Sequence, residues 1–465
     1  MPAGPESLSL EPYGTRVHAN KSPDRLLGKK LKEYLLQDYN PDEMLLNIEV
    51  DNHAVESTVN SILTGNDVTF ATLRDLIRLP AIPRASTFLR GTPTIPTLMG
   101  YLRQYCQYHE PYDYEFGFHC IEAILFALGF GLMEEANLLP NYNLEVQRII
   151  DHPKATLRQL HLAIAELLTR YITQDDGPDD GPESINDNLW GFDYPTQTLV
   201  PILGGLTIED LQYFTNILWN NRKQMFWAYS AASASPGWGC TLFFFSLVNR
   251  HVLQDTELCT KVYNLAFRVS LSSSTHKYDL LDRVLHKAYV IFQPPHGRIS
   301  GAVDKEDAVL MAREYHRYIT SRNRRHHRSG IYCTLWAHNT IRGLNSFDMN
   351  CEHIKALIDS LWANGVLAGH DILLADIEEY FDAQAPLIKY MEFVLRGINN
   401  IIAIARPSHR VAYFRILFQA DFVNLLGRLL LSSICPFDSK AAALEDLLGA
   451  YQFRYHVHIT VTSIG

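Results

Sequence analysis

The chain has 465 residues, 47% hydrophobic and 20% charged, which excludes a mainly disordered polypeptide, and its 26 Gly and 22 Pro exclude collagen-like and low-complexity chains. Its formal charge of −10, from 41 Lys and Arg against 51 Asp and Glu, argues against generic binding to nucleic acid or to an anionic membrane, since both need a basic footprint. Seven Cys with no CxxC pair suit neither a disulfide framework nor a zinc ribbon, so reduced thiols and an intracellular site, cytoplasmic or nuclear, are expected.

Met1 to Ser22 is polar and contains Pro, without the continuous apolar run of a secretory signal, so residues 1–24 are expected to form a flexible N-terminus. Beyond it apolar residues recur at spacings of three and four, and period-two alternation is nearly absent. The expected fold class is therefore all-α. Arg25–Tyr39 places Leu27, Leu31 and Leu35 on one stripe, and Ser57–Leu63, Thr69–Leu79 and Thr97–Gln107 read as short helices between Pro-containing turns. Gly117–Leu139 is apolar nearly all round, as a helix buried on every side must be. Within it Ile121–Met133 is too short to span a bilayer, while Leu425–Ile434 is interrupted by Arg428 and preceded by Arg415 and Asp421, so both are expected in a core.

Pro153–Thr173 carries Leu157, Leu160, Ile164, Leu167 and Leu168 on one broad stripe. The acidic run Gln174–Pro182 repeats Asp-Asp-Gly-Pro and cannot bury apolar area, so residues 174–188 are expected to link an N-terminal helical region, 25–173, to a C-terminal helical array, 189–456. Thr207 with Asp210 three residues on predicts a capped helix reaching Ala231. Cys240–His251, Glu257–Leu271, Tyr278–Phe292 and a helix from Asp304 follow, then Glu352–Asn364, Asp371–Ala383, Leu387–Ala405, Val411–Ser433 and Lys440–Tyr455. Helices of this length joined by short turns suit an irregular array, with an armadillo- or HEAT-like superhelix as one form and a bundle as the other. Val457–Ile464 alternates like a strand, and 457–465 is read as a tail.

Three constellations hold chemistry-bearing residues. Pro236-Gly237-Trp238-Gly239-Cys240 precedes an apolar run, and a Cys in the first turn of a helix has its thiolate favoured by the dipole and the free N–H groups. Cys333, His338, Cys351 and His353 are ligand types that zinc accepts, at a spacing that matches no compact zinc module; the alternative is core Cys with surface His. Arg322-Asn323-Arg324-Arg325-His326-His327-Arg328 is a dense basic run, readable as a phosphate-binding site, a nuclear-import signal or a seat for an acidic partner, or else as the solvated end of a helix. The aromatic series Tyr101, Tyr105, Tyr108, Tyr112, Tyr114, Phe116 and Phe118 is interleaved with Glu110, Asp113 and Glu115, which repels nucleic acid and suggests inter-helix packing or a protein-facing patch. No Walker, dinucleotide, HExxH, GxSxG or kinase signature is present, and no cofactor or metal is expected.

Gly237–Cys240 resembles the nucleophile motif of autophagy-type peptidases and related ubiquitin-like-modifier peptidases. That resemblance implies a cysteine hydrolase with Cys240 as nucleophile; the family's downstream Asp-Pro-His is missing, and His370 with Asp371, or His338, would have to serve instead. Tyr114–Cys120, followed by its long apolar helix, looks like a recurring feature of uncharacterised fungal helical proteins, and Phe422–Arg428 looks like an armadillo-type helix. Neither of these two brings an activity. The expected function is a helical scaffold or interaction module that binds a protein partner, with no membrane and no nucleic acid, and the Cys240 hydrolase is the alternative.

Overall fold

The fold is known from a computed structural model, which describes residues 26–40, 52–64, 68–78, 94–135, 137–152, 154–173, 190–193, 198–201, 207–231, 241, 244, 256–272, 305–320, 347–362, 391–392, 394–403 and 405–433. These residues are overwhelmingly helical, and the protein is all-α. The chain forms two compact units, Met1–Phe244 and Phe245–Gly465.

The first unit contains α1 (Leu31–Gln37), α2 (Asn52–Thr64), α3 (Phe70–Arg78), α4 (Thr94–Tyr105), α5 (Glu115–Glu135), α6 (Leu139–Ile150) and α7 (Leu157–Thr173). A two-stranded antiparallel ribbon, β1 (Trp190–Asp193) with β2 (Thr198–Pro201), pairs Trp190 with Pro201 and Asp193 with Thr198. The unit closes with α8 (Ile208–Asn220) and α9 (Arg222–Ala231). Its axis is α5, buried from Glu115 to Met133 and packed against α1, α3, α4, α6 and α7. Such surroundings call for apolar side chains in nearly every direction, the exception being the one buried side that carries Glu115, His119 and Glu122. Its apolar length would suffice to cross a membrane, but the whole segment lies inside the protein. Close approach also shapes it: a Cβ on Gly117 would collide with the Pro111 carbonyl oxygen and, at 2.7 Å, with the Tyr105 ring.

The second unit contains α10 (Thr256–Ser272), α11 (Lys305–Thr320), α12 (Phe347–Ser360), a helix α13 over residues 394–403, α14 (Pro407–Gln419) and α15 (Phe422–Ser433). Packing runs α10 on α11, α11 on α12, α12 on α14 and α14 on α15. Leu265, Tyr315, Ile354, Leu357, Leu361 and Val394 are buried in it.

The helices differ from the sequence expectation at chain corners. Residues expected to end the Gly117–Leu139 helix turn instead at Asn137, whose φ of 54° starts α6. Val411–Ser433, expected as one helix, is two, broken at Asp421 with φ 50°. The capped helix expected to reach Ala231 divides at Asn221, whose side-chain amide donates to the Ile217 carbonyl at 3.1 Å. The β1–β2 ribbon was not expected. Residues 174–188 lie outside the described set, while α8 and α9 beyond them belong to the first unit. Residues 1–24, Cys240–His251 apart from Thr241 and Phe244, Tyr278–Phe292, Asp371–Ala383, Lys440–Tyr455 and 457–465 also fall outside it.

Candidate functional site

Cys240, His370, Asp371, His338, Cys333 and the basic run Arg322–Arg328 all lie outside the described residues. Cys351 and His353 are described. Two residues apart on α12, they point in well-separated directions, and His353 turns to a different partner, His316 on α11. The His316 Nε2 and His353 Nδ1 atoms lie 3.0 Å apart, with the rings 12° from parallel and their centroids 5.2 Å apart. That separation is about the N···N distance plus two ring radii, so the rings meet edge to edge through an N–H···N bond. One nitrogen of the contact must be bare for the bond to form. Burial pulls the His316 imidazole down to about 4, which keeps it neutral at ordinary pH. No group of three His, Cys, Asp or Glu side chains suited to a metal occurs among the described residues.

The first unit buries an acid–base cluster on α5. Glu115, His119 and Glu122, at i, i+4 and i+7, share one side of the helix and are 3%, 3% and 1% exposed. The segment ahead of α1 clamps the start of α5: the Lys29 N–H donates to Glu115 Oε1 at 2.8 Å, and the Glu115 N–H donates to the Lys29 carbonyl at 3.1 Å. An acid in the first turn also complements the positive pole of the helix. Gly28 makes the clamp possible, because its φ is 76° and a Cβ there would stand 2.9 Å from Glu115 and from the Phe70 ring. Burial raises the Glu115 carboxyl, against the lowering effects of the Lys29 N–H and the Arg74 charge.

His119 faces the Tyr34 ring edge-on at 5.3 Å, and neither ring nitrogen has a hydrogen-bond partner. Its Nε2 is 4.0 Å from Glu115 Oε2, too far for a hydrogen bond. Burial, then the charges of Arg74 and Arg78, bring its imidazole down to about 3. At the far end Glu122 Oε1 lies 3.5 Å from the Tyr229 hydroxyl of α9, which is 3.1 Å from Thr241 Oγ1. Groups this deeply enclosed join helices and cannot meet a substrate without opening the core. Two of the described thiols, Cys106 and Cys120, are likewise poorly suited to attack, since burial pushes Cys106 up to about 12 and raises Cys120 above its ordinary value.

Most of the aromatic series packs between helices. Tyr105 stacks on Phe116 at 5.4 Å, Tyr112 and Phe118 are buried, and the Tyr101 hydroxyl donates to the Ile62 carbonyl at 2.6 Å. Tyr108 is the exception, 80% exposed.

A different surface feature lies on α14. Its inner side holds Tyr413, buried against α12 and hydrogen-bonded to Asn350, with Ala412, Ile416 and Leu417 around it. Its outer side carries Val411, Phe414 and Phe418, which are 63%, 40% and 87% exposed, and just past the corner Val423 is 68% exposed. A surface helix ordinarily turns polar residues outward. The Pro-started helix and its corner are well anchored: Arg410 donates to the carbonyls of Ala405 (3.0 Å) and Ala403 (2.9 Å), and Asn424 donates to Asp421 Oδ2 at 2.9 Å. The sequence reading gave Val411–Ser433 only as a helix and singled out no face of it, because spacings of three and four look alike on a buried and on an outward side. The usable signal was two apolar faces on one short helix.

The fold and these sites define an all-α protein with enclosed polar clusters and an outward apolar helix face. No family model, no curated protein and no solved structure matches the chain.

Proposed function

We propose that this chain is a helical scaffold, or interaction module, that binds another protein through the surface of its paired helices. The observation that carries the reading is the outer face of α14, where Val411 and Phe418 are largely exposed beside a partly covered Phe414, on a helix whose other side is packed. Grouped exposed apolar side chains of this kind mark association surfaces, whereas isolated ones carry no such meaning. The deep enclosure of Glu115, His119 and Glu122 removes the described acid–base cluster as a rival reading, because catalysis needs an accessible group.

The test uses the full chain as bait in cell extract, beside a Phe418→Asp variant with an unchanged circular dichroism spectrum. One stoichiometric protein retained by the parent and lost by the variant is the expected result. Absence of any such protein, or equal retention by both baits, overturns the reading.

A further inference from the structure

We infer that the partner seated on α14 is an acidic amphipathic helix, with apolar anchors along its centre and carboxylates on its flanks; this rests on the interaction reading above. Val411, Phe414 and Phe418 stand at i, i+3 and i+7, so at 100° per residue they form one stripe of about two turns. The same geometry puts Arg410 on one side of that stripe and Arg415 on the other, both exposed, with exposed Arg406 at the N-cap. No Asp or Glu occurs in α14, and Asp421 at the corner is already bonded to Asn424. The bonds from Arg410 to the Ala403 and Ala405 carbonyls fix its guanidinium without removing its charge. In a chain of formal charge −10, this helix is a local reversal of sign with an apolar middle.

The complementary surface is apolar in the middle and negative at the edges. A helix offers it economically, because apolar residues at i, i+3 and i+4 interleave with the α14 stripe while Asp or Glu on either flank reach Arg410 and Arg415. Such rim pairs set partner choice and association rate more than affinity, which comes from the buried aromatic anchors. A second copy of the same face does not fit, since two-fold pairing brings a face whose only charges are cationic against itself. A flat anionic lipid surface offers the same sign of charge but no ridge of side chains to interleave with the stripe, and vesicle binding is the outcome that separates it from a helix.

The experiment titrates the full chain into fluorescein-labelled peptides of about five helical turns. They share a Leu/Phe stripe and differ in flanks of Glu, Lys or Gln, with Phe418→Asp and Arg415→Glu variants alongside. The expected result is a Glu-flanked peptide bound about tenfold or more tightly than the Lys-flanked one, with affinity that falls as salt rises. Phe418→Asp abolishes binding, and Arg415→Glu weakens the Glu-flanked peptide about tenfold while strengthening the Lys-flanked one. Both side chains project into solvent, and thermal melts establish that both variants fold. Equal affinity for the three peptides, or binding indifferent to both variants, overturns the inference. So does Phe418-dependent binding to phosphatidylserine vesicles, or Phe418-dependent dimerisation in sedimentation, without peptide binding. Failure of every Glu-flanked peptide while the bait still captures its Phe418-dependent protein defeats the acidic partner alone; failure of both defeats the interaction reading as well.

Discussion

His119 sets an acid limit on the first unit. Its imidazole drops from 6.5 to about 3 on folding, so the unfolded chain takes up a proton first. Stability present above 6.5 is therefore lost as pH falls toward 3, by about 5 kcal/mol in all. Glu115 has the opposite sign: its carboxyl is raised in the folded state, so it works against folding at neutral pH and is relieved on acidification. Urea unfolding of His119→Leu against the parent separates the two. The variant is expected to have a flatter acid limb and to gain about 1–3 kcal/mol at pH 7, because two buried unpaired nitrogens disappear. Parallel pH profiles would contradict this role. Gly28 belongs to the same cluster, and Gly28→Ala is expected to cost about 2 kcal/mol or more, from the left-handed φ together with the contacts to Glu115 and Phe70. A chemical denaturation midpoint unchanged from the parent would contradict it. Nothing in the sequence marks Gly28 apart from other glycines, since its need for a positive φ arises from the clamp that adjoining Lys29 makes with Glu115, 86 positions further along the chain.

At the scale of elements, local signals were legible where the chemistry is local. The Thr207–Asp210 pair forms a reciprocal capping box, and Asp210 also meets Arg103 of α4 at 2.5 Å, where Arg103 lies over the Tyr213 ring. The box could be read from spacing alone; the ion pair could not, because it joins two helices distant in sequence. Corners were less legible. Asp421 and Asn137 take positive φ without Gly, and Asp or Asn inside an apolar-periodic stretch reads as a solvent-facing helical residue. Asp421→Gly is expected to keep or raise stability by up to about 1 kcal/mol, whereas Asp421→Val costs about 1–2 kcal/mol, measured by thermal unfolding. If Val were tolerated as well as Gly, the bend at Asp421 would not exist in solution. The β1–β2 ribbon escaped notice because strands of 4 residues are too short for period-two alternation to stand out.

For the whole molecule, two compact units predict two separable folding units. Met1–Phe244 and Phe245–Gly465, expressed apart, are each expected to show helical circular dichroism and a cooperative melt. Collapse of either piece into an aggregate without a transition would show that the units fold only together. The first unit joins elements on both sides of the acidic run, through Arg103 with Asp210 and Glu122 with Tyr229. A composition change along the chain is a reasonable sign of a linker, but it says nothing about which helices pair across it.

Helical class and the buried character of α5 followed from the sequence by itself, because a period of three and four residues, or a nearly all-round apolar circumference, is a one-dimensional pattern dictated by backbone geometry. Tertiary structure alone decided which periodic residues face inward. Val411 and Phe418 carry the same pattern as core residues, yet Tyr413 occupies the side packed on α12 and leaves them largely exposed. The meeting of His316 with His353, and the enclosure of His119 behind Tyr34, were decided in the same way. Each depends on the approach of separate helices, and the direction of that approach is set by the sum of all their packed side chains, which no local spacing records.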